Sequence, residues 1–200
     1  MAAEPETYPA RLQIDYPERL DRFTTFFRLI WFIPIGIIFG LLTYQPEETV
    51  AGPVTLSIAT VLMIVVRQRY PRWWFNFVCE LMRFTARVGA YLALLTDRYP
   101  STVDEQSVHL EIDYPDVKRD LNRWLPLVKW FLAIPHVIVL LILLMLALLS
   151  VAIAWFAILV TGRYPRSLFD FVVGVFRLGL RVEAYAVLFV TDRYPPFSVN

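Results

Sequence analysis

The sequence predicts an all-α integral membrane protein. The unit is a transmembrane helical hairpin followed by an amphipathic interfacial helix, repeated in tandem, with short β-strands outside the membrane. Three observations carry this. Apolar residues make up 58% of the 200-residue chain, against roughly 45–50% in an ordinary soluble domain. The excess is concentrated in Leu29–Tyr44, Thr49–Val66 and Trp130–Gly162, none of which contains Asp, Glu, Lys or Arg. The third observation is internal repetition.

The repeat is read directly from motifs. Leu12-Gln13-Ile14-Asp15-Tyr16-Pro17 returns as Leu110-Glu111-Ile112-Asp113-Tyr114-Pro115. Arg28, six residues before Pro34, returns as Lys129, six before Pro135. Arg69-Tyr70-Pro71-Arg72 returns as Arg163-Tyr164-Pro165-Arg166, and Thr96-Asp97-Arg98-Tyr99-Pro100 returns as Thr191 to Pro195. Phe75, Phe77, Arg83, Arg87 and Tyr91 recur 94 residues later as Phe169, Phe171, Arg177, Arg181 and Tyr185. The chain therefore divides into membrane repeats 1–100 and 101–200.

Taken in order, Met1–Ala10 is polar, holds Glu4 and Glu6 and lacks a basic residue, so the first apolar stretch is expected to act as an uncleaved membrane signal. Leu12 and Ile14, and later Val108, Leu110 and Ile112, alternate with polar residues as short strands do; the tail Pro196–Asn200 is a candidate strand partner. A hydrocarbon span of ~30 Å needs about 20 helical residues. The first two apolar stretches are marginal singly and read together as a hairpin, joined by the acidic loop Gln45–Pro53. The flanks are basic: Arg19, Arg22 and Arg28 before, Arg67, Arg69 and Arg72 after. Basic flanks stay in the cytoplasm, so the chain is expected to enter and return, with both termini cytoplasmic. The second copy is likewise flanked by basic residues, Lys118, Arg119, Arg123 and Lys129 before and Arg163 and Arg166 after, but has a smooth run, Val137–Val160, without a turn residue. It reads as a hairpin by analogy, with one long tilted helix as the alternative. Pro34 and Pro135 are expected to kink or start helices, and Tyr-Pro pairs and tryptophans to mark the headgroup level.

After each Arg-Tyr-Pro-Arg comes an amphipathic segment. Asn76, Glu80, Arg83 and Arg87 share one helical face, and Asp170, Arg177 and Arg181 repeat it. Phe77, Phe84, Val88, Tyr91 and Leu95 occupy the other side. An interfacial helix with its arginines on phosphates avoids the cost of burying them in hydrocarbon; a third spanning helix per copy is the competing reading. Arg69, Arg72, Arg83, Arg87, Arg163, Arg166, Arg177 and Arg181 are the candidate lipid-headgroup or partner-binding residues. The simpler role for Arg69, Arg98, Arg163 and Arg193 is anchoring helix ends, and Asp15, Asp97, Asp113 and Asp192 are candidate internal partners.

Net charge is +1, which predicts no nucleic-acid partner, and the single Cys79 leaves no internal disulfide. His109 and His136 stand alone, and no Gly-rich phosphate loop, Cys/His cluster or nucleophile elbow is present. No cofactor, metal or catalytic residue is expected. The Gly36-to-Gly40 spacing reads as packing beside Pro34.

The segments Trp124–Trp130, Ala133–His136, Trp155–Ile158 with Thr161–Arg166, Phe169–Val172 and Asp192–Ser198 resemble a bacterial membrane-protein family known as domain of unknown function 4389. The first copy departs at Asn76 for Asp170, at Trp73-Trp74 for Ser167-Leu168, and in its acidic loop. The resemblance implies a bacterial plasma-membrane protein and brings no activity with it. The expected function is a non-enzymatic accessory or scaffolding subunit of a membrane complex or homo-oligomer, contacting anionic lipid headgroups and protein partners. The alternative is a small oligomeric channel or transporter with an arginine-lined path. A lipid-modifying enzyme ranks last.

Overall fold

The computed structural model describes residues 8–43, 52–101 and 106–198. The chain is mostly helical. In order it forms β1 (Ala10–Ile14), α1 (Arg22–Phe26), α2 (Arg28–Thr43), α3 (Gly52–Arg67), α4 (Arg72–Leu92), β2 (Val108–Ile112), α5 (Val117–Asp120), α6 (Lys129–Thr161) and α7 (Arg166–Ala186), with a 3₁₀ turn at Leu125–Leu127 before α6. The acidic loop expected at Gln45–Pro53 lies mostly outside the described residues.

β1 and β2 form an antiparallel ribbon with Leu12 opposite Leu110 at its centre. Ala10, Leu12 and Ile14 are buried while Arg11 and Gln13 are exposed, as the alternation predicts. The described part of the tail, Pro196–Ser198, is not a third strand: His136 Nε2 lies 2.8 Å from the Pro195 carbonyl oxygen and the His136 ring stacks on Phe197.

The ribbon relates the repeats as a two-fold axis would, and its strands are exchanged. β1 packs on α7 of the second copy, and β2 on α4 of the first. The Tyr16 hydroxyl donates to Tyr164 O at 2.6 Å, and the Tyr114 hydroxyl donates to Tyr70 O. Arg177 Nε donates to Leu12 O (3.0 Å) and Arg83 Nε to Leu110 O (3.1 Å). Each Asp-Tyr-Pro motif thus locks onto the opposite copy's Arg-Tyr-Pro motif.

The hairpin expectation is corrected in both copies. The second copy's run is one unbroken 33-residue helix, α6, about 50 Å long at 1.5 Å per residue; nothing between Val137 and Val160 can turn the chain. It lies antiparallel along α7. Lys129 meets Asp192, Trp130 Nε1 donates to Ala186 O, and Leu140 lies over Gly179. Gly162, at φ 72°, caps α6 and reverses the chain into α7. In the first copy α2 and α3 together follow the same course along α4: Arg28 meets Asp97, Ile35 packs with Phe84 and Val88, and Trp74 Nε1 donates to Thr60 Oγ1. α1, which leads into α2, packs on the C-terminal end of α6, where Trp155 Nε1 donates to Thr25 O. The end of α3 meets the turn before α6, where Arg123 Nε donates to Val65 O. The entry of α2 and the exit of α3 therefore sit near opposite ends of α6, not side by side as in a hairpin. Pro34 and Pro135 lie within α2 and α6 without ending them.

The interfacial placement of α4 and α7 is corrected too. Phe84, Val88, Tyr91 and Leu95 pack inside the protein, leaving only Phe77 of the expected lipid face exposed. α7 is buried on several sides, at Val172, Val173, Val175, Leu178, Leu180 and Val182, because α6 covers one side and the ribbon another. By length and composition, α6 alone among the described helices can cross a membrane.

Candidate anion-binding clefts

Four of the eight candidate arginines are spent on the fold. Arg83 and Arg177 hold the ribbon carbonyls, and Arg83 also pairs with Glu80. Arg87 Nη1 donates to Ser101 O at 2.6 Å, and Arg181 Nη1 to Ser198 O at 2.9 Å, so each pins the chain leaving its own repeat. The other four, Arg69, Arg72, Arg163 and Arg166, are exposed at the turns between the apolar helices and α4 or α7.

These turns open into two clefts at corresponding places in the two copies. The larger, about 1170 Å³, is formed by the end of α3, the following turn and the segment after β2; its cations are Arg67, Arg69, Arg72 and Lys118, beside Trp73. The smaller, about 520 Å³, joins the end of α6 to the segment after β1 and carries Arg19, Arg22 and Arg163. Each cleft combines an apolar helix of one copy with the post-Tyr-Pro turn of the other. Each contains one carboxylate engaged as a helix cap: Asp116 accepts from Lys118 N, and Asp21 accepts from Thr24 N at 2.8 Å. The Thr24 amide holds the Asp21 carboxyl below its ordinary range. Among the described residues, no carboxylate pairs with Arg19, Arg22, Arg67, Arg69 or Arg163. Tyr114 lines the larger cleft, whereas its counterpart Tyr16 lies outside the smaller one, beside Arg166. Arg72 lies 5.4 Å over the Tyr114 ring and Arg166 4.5 Å over Tyr16, arrangements that hold a guanidinium in place. Unpaired guanidiniums at a cleft mouth suit phosphate oxygens, which they bind through two parallel donors.

Arg19, Arg22, Arg67 and Lys118 were legible only as topology flanks, because the segment each faces across its cleft comes from the other copy. The same holds for a second pair of equivalent features. Arg28 (3% exposed) donates to Thr96 O and pairs with Asp97 at 2.7 Å over the Tyr91 ring. Lys129 (0% exposed) donates to Thr191 O and pairs with Asp192 at 2.7 Å near the Tyr185 ring. Asp97 and Asp192 are presented by tight turns in which Leu94 and Phe189 take positive φ. These are anchors, not surface charges. Tyr70 and Tyr164, expected at headgroup level, are core residues. Where the ribbon meets α7 a third cleft, about 710 Å³, mixes Arg11, Asp15, His109, Glu111, Arg166 and Asp170; several of these pair among themselves or with neighbouring residues, as in Arg11–Asp113 at 2.9 Å and His109–Asp15 at 3.2 Å.

No curated protein and no solved structure matches the chain. A family model described as "Domain of unknown function (DUF4389)" matches twice, over residues 22–103 and 124–198, each match taking in one set of apolar helix, Arg-Tyr-Pro turn and amphipathic helix. With most of its length covered by these two segments, the chain belongs to the DUF4389 family.

Proposed function

We propose that this protein is a non-enzymatic, membrane-bound accessory or scaffolding subunit of a bacterial plasma membrane, held by α2, α3 and α6 and contacting anionic headgroups through the two basic clefts. Protein partners, or further copies of the chain, would bind its remaining surface. The observation that carries this reading is the exposure of α6. Its most apolar window has a mean hydropathy of 3.3, yet only 17% of it is buried inside the fold. A core helix of a soluble protein would be covered. Here Leu141, Ile142, Met145, Leu148, Leu149 and Phe156 all face outward, an apolar surface well beyond the patches that soluble monomers expose. The channel alternative lacks comparable support, since Arg83, Arg87, Arg177 and Arg181 are engaged with backbone carbonyls.

Vesicle flotation tests the proposal. Detergent-purified protein, diluted into liposomes of phosphatidylcholine with and without phosphatidylglycerol, is expected to float with both and to be retained more strongly by the anionic vesicles, with that difference shrinking at high salt. Protein that stays below the vesicles of both kinds contradicts it.

A further inference from the structure

The fold is layered. α2, α3 and α6 form one face and are apolar; α4 and α7 lie behind them; the ribbon covers α4 and α7 from the other side. The ribbon's outer face carries Arg11, Gln13, Asp15, His109, Glu111 and Asp113, all exposed. It crosses α4 and α7 at Arg83 and Arg177, close to the middle of each helix. α6 runs antiparallel to α7, and its own midsection lies alongside the same level.

This placement conflicts with a spanning orientation. An upright α6 would carry the ribbon to the middle of the bilayer, with its charged outer face and open strand edges in hydrocarbon, where neither is tolerated. Its two ends would put basic clusters on both sides of the membrane: Arg67, Arg69, Arg72 and Lys118 at one, and Arg19, Arg22 and Arg163 at the other. Such symmetry runs against the one-sided distribution of basic residues around spanning helices. Its length of about 50 Å also exceeds the ~30 Å hydrocarbon core.

We infer that the protein is monotopic: α2, α3 and α6 lie in the plane of one leaflet, the ribbon faces water, and both basic clefts sit in the same headgroup layer. The occupant of the apolar face is therefore a single leaflet bearing anionic phosphates. Charge placement argues for this choice. Each cleft lies where the chain climbs from the apolar layer to the middle layer, flanked by exposed aromatics (Trp73 at one, Phe23 at the other). The pseudo-two-fold axis through Leu12 and Leu110 then coincides with the membrane normal, which gives the two copies equal depth despite opposite helix directions. This inference rests on the membrane binding proposed above and adds its orientation.

The test uses the full chain with Cys79→Ser and single cysteines at three exposed positions: Gln13→Cys on the ribbon, Arg119→Cys near the start of α6, and Thr161→Cys at its end. A membrane-impermeant maleimide is applied to right-side-out and inside-out vesicles from expressing cells. All three positions should label in one preparation and be protected in the other. Reciprocal labelling of Arg119→Cys and Thr161→Cys would overturn the inference while leaving membrane binding intact. A second measurement covers any variant that misfolds. Spin labels at Val137, Leu141, Met145, Leu149 and Ile153, in phosphatidylglycerol-containing bilayers, should report one shallow depth, roughly 5–10 Å below the phosphates. A profile that deepens toward Met145 and rises again marks a spanning helix and overturns the proposal. So does loss of oxygen access along the whole row, which would mean that a second copy, not lipid, covers this face. Failure of the parent protein to float with vesicles would instead strike at the proposed function itself.

Discussion

Lys129 and Asp192 illustrate what single residues do here. The ammonium is fully buried at the start of the most apolar helix in the chain, and its carboxylate partner comes from a turn 63 residues later. Removing one member of such a pair leaves the other charge without compensation, typically costing about 3–5 kcal/mol, whereas replacing both with apolar groups is often neutral. Lys129→Met should therefore lower thermal stability in detergent sharply, and Lys129→Met with Asp192→Leu should recover much of the loss. Tyr16→Phe and Tyr114→Phe each delete a hydrogen bond between copies and should each cost about 1 kcal/mol in the same assay. Burial pushes the Cys79 thiol up to about 11, so thiolate is scarce at pH 8. Alkylation should be slow in the folded protein and fast once it is denatured; rapid reaction of the native protein would contradict the packing of α4. The sequence displayed these residues but not their partners. Arg28 and Lys129 looked like flanking charges, because nothing local marks a cation whose carboxylate lies 63 to 69 residues away.

At the scale of elements, periodicity served well where burial follows it. The ribbon alternates as β1 and β2 do, and the stripe of Asn76, Glu80, Arg83 and Arg87 did mark one helical face. Periodicity could not say what that face meets. The arginines turned out to bind backbone carbonyls, since a ribbon packed across α4 and α7 puts those acceptors within reach. The second-copy hairpin was an inference from charge symmetry, and local sequence without a turn residue overrode it. The helix-reversing turns are a further point of comparison. Gly162 sits at φ 72° and its counterpart Gln68 at φ 47°. A side chain in the left-handed region costs about 1–2 kcal/mol outside glycine. Gly162→Ala should destabilise by roughly that amount, while Gln68→Gly should be neutral or stabilising; thermal unfolding of both variants checks the turn geometry.

For the molecule as a whole, two copies that exchange strands make one body with an apolar side and a charged side. The repeat was legible in the sequence motif by motif. The exchange was not, because identical motifs satisfy pairing within a copy as well as between copies, and only the packing of β1 on α7 and of β2 on α4 decides. Basic side chains near an anionic surface contribute about 1 kcal/mol each. Arg67→Gln, Arg69→Gln and Arg72→Gln together should weaken retention on phosphatidylglycerol vesicles by about 3 kcal/mol, roughly 150-fold, with little change on phosphatidylcholine; equal loss on both would point to a structural role.

The orientation of α6 is the central claim, and polarised infrared dichroism of the protein in aligned phosphatidylglycerol-containing bilayers measures it most directly. α6 and α7 run antiparallel, and α2 and α3 follow α4 in the same manner, so the long helices should report together. The account predicts an amide I signal with helix axes close to the membrane plane. Axes close to the normal would contradict it.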